Sequence, residues 1–366
     1  MIEKGKISAL QMAMLTNPTI LATAILSAPA ITAKLAEHDM WLSPVWASLA
    51  GIAAVYLAWG LNKLYPAESI IDISVRIAGR AAGKLLGFVY LFFYLHVNGI
   101  IVREYGEFVV GSFLTKTPLG IVIASIVAVS AFAVYGGVEV LGRCAQIMVP
   151  VVVLLFIVII ILLFPDLNPE NMLPFMEKGI KSSFMGALVP QGWFSEYFVM
   201  TFLLPLVADR AKAPKWGVIS AMSVMFILVI GNITTLMLFG DITGTLTYPV
   251  LIAARYISLA DFFEHVESIV MAIWVTGMFI KISVFYYILA LGTAQWLKLS
   301  DFRPLVLPLG LCLASFGVWA APNSEKLLHD LGTTIPFYLS AVQVVIPLLL
   351  LLIALLKQKL RRQNGG

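Results

Sequence analysis

The sequence predicts an all-α membrane protein with about ten transmembrane helices. Of its 366 residues, 60% are hydrophobic and only 12% are charged. A soluble domain carries about a quarter charged residues, and runs of about 18 apolar residues are typical of membrane-crossing helices. Two of the apolar segments also carry proline, or proline with glycine, inside the predicted span. These observations indicate a helical bundle surrounded by lipid.

The apolar residues fall into ten segments that form one predicted domain, residues 1–366. Each segment can cross a hydrocarbon layer of about 30 Å at about 1.5 Å per residue. Lipid offers no hydrogen bonds to the backbone, so we expect helices throughout. Roughly eight to eleven spans fit the pattern. The ten predicted spans are 8–33, 41–64, 83–112, 118–136, 139–164, 183–208, 215–240, 266–294, 303–321 and 334–357.

The distribution of Lys and Arg predicts the orientation of these spans. If the N-terminus is cytoplasmic, most basic residues lie in cytoplasmic segments, including Arg76, Arg80, Lys84 and Lys357. Cytoplasmic loops of membrane proteins carry this excess of positive charge. We therefore expect both termini in the cytoplasm, and we expect the first span to be retained rather than cleaved as a signal peptide.

Spans 1 and 6 carry residues that interrupt helices. In span 1, Pro18 and Pro29 flank the small-residue run 22–24, and span 6 contains Pro190-Gln191-Gly192 near its middle. Proline removes a backbone donor, and glycine tolerates unwound backbone. Unwinding within a membrane is tolerated where the freed groups line a cavity. The alternative is that these prolines only kink their helices.

The two interrupted spans lie five spans apart, which predicts two related halves of five helices each. We expect an inverted repeat, with residues 1–164 as the first half and 183–357 as the second. Broken helices at matching positions of two halves mark substrate sites near the membrane midplane in transporters. The exposed N–H groups at the start of a half-helix suit a carboxylate ligand.

Two charged side chains lie near the centres of predicted spans, Lys281 in span 8 and Glu196 in span 6. A charge at this depth costs about 3 kcal/mol on insertion scales, so each should face the interior and have a partner. In a functional interpretation, the Lys281 ammonium occupies the position beside the ligand where a bound cation would otherwise lie, or Lys281 carries a proton. In the alternative interpretation, Lys281 and Glu196 form a structural ion pair.

Span 3 contributes further polar residues at two depths. Tyr94 and Asn98 are four residues apart near the midplane and could face a central site. Arg103, Glu104 and Glu107 lie in the outer third of the span and predict an outer vestibule. Arg103 and Glu107 are four residues apart on one face, and the simpler interpretation is that their side chains only extend to that vestibule, without a binding role.

The sequence carries no signature of a nucleotide-hydrolysing, metalloprotease or serine-hydrolase site. Its four histidines have no metal-ligand spacing, and its net charge of +4 comes without a basic cluster for nucleic acid. Cys144 and Cys312 lie in or beside spans, so we expect no disulfide. We expect no enzymatic activity, no cofactor, no metal and no nucleic-acid partner.

Several segments together resemble one family, the spore germination permeases, which are the B subunits of endospore germinant receptors. These permeases belong to the amino acid–polyamine–organocation superfamily, with the inverted-repeat fold of the bacterial leucine transporter. The matching pieces extend over nearly the whole chain. They are Ile7-Ser8-x-x-Gln11, Ala22-Thr23-Ala24-Ile25-Leu26 with Pro29, Asn168…Pro174…Gly179, Gly192…Glu196 with Leu203-Leu204-Pro205, Pro249…Arg255…Phe262-Phe-Glu264…Glu267 with Trp274, and Phe279-Ile-Lys281-Ile-Ser283.

Two positions depart from the family pattern. The family usually has glycine in the span-1 break, where this chain has Ala22 and Ala24, so less unwinding or a narrower pocket is expected. The family often has arginine after the Phe-x-Glu before span 8, where this chain has His265. This second departure puts an outer salt bridge in doubt and leaves the expected fold unchanged.

The resemblance implies a germinant-sensing subunit in the spore inner membrane that binds a small nutrient, with an amino acid favoured. It also implies two partners, a membrane A subunit and a lipoprotein C subunit, to which ligand binding is passed. A secondary amino-acid transporter and a channel-like component are the alternatives. By fold analogy the ligand-binding residues are Ala22, Thr23, Ala24, Tyr94, Asn98, Gly192, Trp193, Ser195, Lys281 and Tyr286.

Overall fold

The computed structural model describes residues 2–257 and 266–363, without the side chains of Arg361 and Arg362. Part of the predicted segment before span 8, including Phe262, Glu264 and His265, lies outside these residues. The described chain is helical, and its α-helices are α1 Ala9–Ala36, α2 Ser43–Leu64, α3 Ile70–Ala78, α4 Arg80–Ser112, α5 Leu119–Tyr135, α6 Val138–Leu163, α7 Ile180–Gly186, α8 Pro190–Ser195, α9 Met200–Leu203, α10 Ala213–Phe239, α11 Pro249–Tyr256, α12 Glu267–Leu297, α13 Val306–Trp319, α14 Ser324–Gly332, α15 Ile335–Ser340 and α16 Ile346–Gln363.

The predicted spans coincide with helical segments, which confirms the all-α membrane class. Within the described residues, six helical stretches are long and apolar enough to cross a membrane, and one of them, Ala9–Leu64, contains both α1 and α2. A seventh arises if the pair Arg303–Trp319 and Ser324–Gly332, bent by 97°, forms one span. Helix α5 is apolar but shorter. The exact number of spans and the two five-helix repeats therefore stay predictions.

Helix α1 is continuous, so the predicted break in span 1 is wrong. Both prolines, Pro18 and Pro29, lie inside the helix. Between them stand alanines instead of glycines, and alanine has the strongest preference for helix. Hydroxyl groups also turn back onto carbonyls of the preceding turn, as Thr19 does to Thr16 (2.6 Å) and Thr32 does to Ala28 (2.7 Å). The alanine-rich composition therefore favours a helix between the two prolines.

Span 6 is interrupted, as its sequence predicts. Helix α7 ends at Gly186, a turn follows, and the short helices α8 and α9 are separated by a 3₁₀ turn at Glu196–Val199. A further 3₁₀ turn, Leu204–Leu206, contains Pro205 and ends the segment. Proline and glycine weaken the helical hydrogen-bond ladder here. The irregular stretch is nevertheless buried, and it carries Glu196 into the protein interior.

The start of α1 is joined to the end of this interrupted segment. Ile7 forms two backbone hydrogen bonds with the residues that follow span 6. Its N–H donates to the Leu206 carbonyl (3.1 Å), and its carbonyl accepts from the Ala208 N–H (2.9 Å). Ser8 caps α1 in a reciprocal pair with Gln11, because each side chain accepts from the other's backbone N–H. The Ile7-Ser8-x-x-Gln11 pattern thus positions α1 against span 6.

Candidate functional site

A buried ion pair lies where α1, α12 and the interrupted segment meet. The Lys281 Nζ is 2.8 Å from Glu196 Oε2 and donates a second hydrogen bond to Thr23 Oγ1 at 2.9 Å. All three side chains are about 1% exposed. The structure therefore brings together three of the predicted site residues, from three elements far apart in sequence.

The helices that hold these three groups explain their position. Lys281 lies near the middle of the 31-residue α12, and Thr23 lies near the middle of the continuous α1. Glu196 begins a 3₁₀ turn that follows α8, so its carboxylate projects from irregular backbone. The aromatic ring of Phe285, one turn after Lys281, lies 5.7 Å from the ammonium group and adds a cation–π contact.

Burying this ion pair has a desolvation cost that its hydrogen bonds and mutual attraction must offset. Removing two charges from water costs several kcal/mol for each ion, which the mutual attraction and the extra hydrogen bond offset. A third charged side chain, Glu104 on α4, is 6% exposed and lies within electrostatic range of both Lys281 and Glu196. The site therefore contains two carboxylates and one ammonium group.

Helix α4 adds buried polar atoms that lack hydrogen-bond partners among the described residues. The Asn98 amide donates to the Ile282 carbonyl (3.3 Å), while its Oδ1 has no partner. The Tyr94 hydroxyl has none either, although its ring packs against Phe202 (5.4 Å) and Phe285 (5.7 Å). An unsatisfied buried polar group costs about 1–3 kcal/mol, so both atoms are available to hydrogen-bond a ligand.

The predicted residues of α8 have packing roles in this conformation. A side chain added at Gly192 would come within 2.5 Å of the Pro336 Cα, so glycine allows α8 and α15 to touch. The Ser195 hydroxyl donates to the Gly192 carbonyl (2.5 Å) and receives a long 3.5 Å contact from Gln343. Trp193 is buried.

Ala22 lines a cavity that is separate from the ion pair. This apolar cavity of about 30 Å³ lies between α1, α6, α10 and α12, and its lining includes Asn17, Phe156 and Trp274. Ala22 also packs against Gly277, where an added Cβ would be 3.1 Å from the alanine methyl. Ala24 is fully buried.

Tyr286 lies away from the ion pair, so the structure does not bring it together with Lys281, Glu196 and Thr23. Its hydroxyl donates to the Val306 carbonyl and contacts Gly310 of α13. At 3.6 residues per turn, position 286 is rotated by about 140° from position 281, so the two side chains leave α12 on different faces. The tyrosine joins α12 to α13 rather than to the ion pair.

A second ion pair joins two of the residues that were predicted to line an outer vestibule. Arg103 bonds Glu107 through Nε (2.8 Å) and NH2 (2.7 Å), and its NH1 donates to the Val318 carbonyl of α13 at 2.7 Å. Arg103 is 6% exposed, so the protein encloses most of its side chain. Glu104, by contrast, has no hydrogen-bond or ion-pair partner among residues 2–257 and 266–363.

Sequence reasoning missed Gln343, which faces the same region. It lies in a π-helical stretch, Ala341–Val345, between α15 and α16, and it is fully buried. Pro347 has no N–H to donate to the Gln343 carbonyl, which favours the wider turn at this place. An amide followed four residues later by proline within an apolar run was the available signal.

Metal binding finds no support in the described part of the chain. No group of three His, Cys, Asp or Glu side chains there is arranged to hold a metal ion.

The fold class is shared with several solved transporters. MhsT in complex with L-phenylalanine superposes with a TM-score of 0.63 at 13% identity, covering 95% of this chain and 89% of that chain. Mhp1, a nucleobase-cation-symport-1 family transporter, gives 0.64 at 13% identity, covering 95% and 78%. A Na⁺-coupled sialic acid symporter gives 0.64 at 11%, covering 93% and 80%.

Within that class, the chain belongs to the spore germination protein family, whose profile matches residues 6–324. Spore germination protein KB of Bacillus subtilis (strain 168) is 25% identical over 371 aligned positions, covering 100% of this chain and 99% of the relative. Spore germination protein YndE of the same organism is 24% identical, covering 96% of each. Spore germination protein XB of Bacillus anthracis is 24% identical, covering 73% of this chain and 76% of the relative. The resemblance noted in the sequence is confirmed.

Proposed function

We propose that this protein is the germinant-sensing membrane subunit of a spore nutrient receptor, with no enzymatic activity of its own. A small nutrient, favoured to be an amino acid, binds at the centre of the bundle beside Lys281, Glu196 and Thr23. The observation that carries this proposal is the buried ion pair at the junction of α1, α12 and interrupted span 6.

Charge arrangement supports an amino acid as the ligand. The ammonium group of an amino acid fits near a carboxylate, and Glu104 has no partner of its own among the described residues. The carboxylate of the amino-acid ligand fits near Lys281. The unpartnered Asn98 Oδ1 and Tyr94 hydroxyl offer further contacts to the ligand. Charged hydrogen bonds are worth more than neutral ones in such an enclosed site.

Ligand binding would act by shifting the balance between two conformations. A ligand changes such a balance only through a difference in its affinity for the two states. The interrupted segment is the element best suited to move when a ligand binds. Glu196 lies there on irregular backbone that lacks some of the regular helical hydrogen bonds. Its movement would be passed to a membrane A subunit and a lipoprotein C subunit in the spore inner membrane, with both termini of this chain cytoplasmic.

A ligand panel tests the proposal. The purified chain is heated in detergent with each amino acid, several sugars and nucleosides, and the unfolding temperature is recorded. A ligand that binds only the folded state raises the free energy of unfolding by about 2.7 kcal/mol when its concentration is about a hundred times its Kd. The expected result is stabilisation by one amino acid or a few related ones.

A matched pair of variants locates the binding site. Thr23→Val removes the hydroxyl that accepts from Lys281, whereas Thr19→Val removes a hydroxyl on the same helix that bonds only the Thr16 carbonyl. Stabilisation should weaken in the first variant and persist in the second. Equal loss in both, or none in either, would contradict a site at Lys281.

The second candidate is a secondary amino-acid transporter, which the fold of the transporters above favours. The two candidates differ in net flux. Uptake of the labelled ligand into proteoliposomes, driven by a pH gradient and abolished by Lys281→Met, would establish transport. Saturable binding without net uptake would establish a sensing subunit.

A further inference from the structure

A large groove lies on the surface between α3, the start of α4 and the end of α12, away from the central site. Its volume is about 620 Å³. The side chains that line it come from all three helices and are mostly charged. They are Glu68, Ile71, Asp72, Val75, Arg76, Arg80, Lys84, Gln295, Trp296 and Lys298.

The charge in this groove is predominantly positive. Of its basic residues, Arg76 is paired with Glu68 at 2.6 Å. The side chains of Arg80 and Lys298 are exposed and form no hydrogen bond or ion pair within the described ranges. Burial raises the pKa of the Asp72 carboxyl and nearby Glu68 raises it further, while Arg76 and Lys298 lower it. Two cationic side chains in the groove thus have no carboxylate at ion-pair distance among the described residues.

An aromatic residue forms the floor of the groove. The Lys84 ammonium lies 4.8 Å from the centre of the Trp296 ring and donates to the Trp296 carbonyl at 3.0 Å. The Trp296 indole N–H in turn donates to the Lys84 carbonyl at 2.9 Å. These reciprocal bonds fix α4 against α12, and tryptophan at such a position is typical of the boundary between lipid headgroups and hydrocarbon.

The groove continues directly into an apolar surface of α4. Leu85, Phe88 and Phe92 follow Lys84 on the helix, and their exposed fractions are 64%, 51% and 48%. The Phe88 ring lies 6.2 Å from Trp296, so the apolar surface begins at the groove floor. A ligand with an anionic head and a long apolar tail matches a basic groove that continues into an apolar surface.

We propose that the groove binds an anionic phospholipid, with its phosphate at Arg80 and Lys298 and its acyl chains along Leu85, Phe88 and Phe92. Basic pockets at the ends of transmembrane helices recognise anionic lipid headgroups through this combination of charge and depth. Free inorganic phosphate would use the two cations but not the apolar surface. A lipid therefore accounts for more of the groove than a soluble anion does.

Native mass spectrometry of the full chain in micelles tests the proposal. The dissociation constant is measured for phosphatidylglycerol and for phosphatidylcholine with the same acyl chains, for the wild type and for Arg80→Gln/Lys298→Asn. Asparagine suits position 298, whose φ is +61°. The matched control Arg143→Gln/Lys215→Asn removes the same charges from exposed positions outside the groove.

The groove variant should bind phosphatidylglycerol about thirtyfold more weakly, since each cation near an anionic lipid contributes about a factor of five to affinity. The control variant and the affinity for phosphatidylcholine should stay unchanged. Equal weakening in both variants, or none, would overturn the site. Displacement of the lipid by millimolar inorganic phosphate, with no preference for long acyl chains, would instead assign the groove to a soluble anion.

Discussion

Replacing Lys281 by methionine removes one half of the buried ion pair and leaves Glu196 as an unpaired charge in the interior. The bond lost is 2.8 Å long, and both side chains are almost fully buried. Breaking such a pair from one side costs about 3–5 kcal/mol. We expect Lys281→Met to lower the free energy of unfolding by about 3 kcal/mol, and Glu196→Met to do the same.

The double variant Lys281→Met/Glu196→Met should be far more stable than the sum of the single variants predicts. Replacing both charges by apolar groups of similar length removes the desolvation cost together with the attraction, and such replacements are close to neutral. We expect a loss of about 1 kcal/mol for the double variant. Unfolding in mixed micelles with a denaturing detergent measures all three variants under the same conditions.

A surface pair provides the control. Lys326 and Asp330 also form an ion pair, at 2.7 Å, but Lys326 is half exposed. Lys326→Met should cost less than about 0.5 kcal/mol, as exposed pairs contribute little. If the two losses in the buried pair simply add, the charges do not stabilise each other, and our reasoning about the site is refuted.

Three further variants test individual contacts. Thr23→Val should lose about 1 kcal/mol of unfolding free energy, because Lys281 loses one acceptor in the interior; an unchanged value would mean that this bond contributes nothing. Gly192→Val should prevent close packing on Pro336 and lower stability by at least about 2 kcal/mol, and a wild-type melting curve would contradict the contact. For Asp72 the raised pKa means that the folded state favours the protonated carboxyl, so the wild type should lose stability as pH rises through that pKa. Asp72→Asn should lack this pH dependence without being less stable at pH 7, and an identical pH profile would disprove the shift.

The interior charges were the most predictable part of the site. Lys281 and Glu196 are 85 positions apart, yet each needs a partner at membrane depth, and few interior residues could supply one. The pairing therefore follows from the cost of an unpaired charge. The role of the pair in ligand binding does not follow from that cost and stays a proposal.

The breaks in the helices were only partly predictable. Span 6 contains glycine beside proline and is interrupted, whereas span 1 has alanine between its prolines and remains helical. The presence of proline alone therefore did not determine whether a span is interrupted. The conformational preference of the neighbouring residues decided whether the helix continued.

Contacts between distant helices could not be derived from the sequence. The place of Gly192 is set by Pro336, which lies on another helix. Tyr286 was assigned to the site by analogy, but its position on α12 directs it to α13. Gln343 depends on a π-helical turn that shifts the helix register. Each of these requires the three-dimensional arrangement of spans that are far apart in the chain.

The most direct test of the central claim compares ligand binding by the wild type and by Lys281→Met/Glu196→Met, using the amino acid that the panel identifies. The double variant removes both charges of the buried pair and should remain folded, so its binding can be measured separately from its stability. Saturation binding with labelled ligand is predicted to show high affinity in the wild type and none in the folded double variant. Wild-type affinity in the double variant would contradict a binding site at the ion pair.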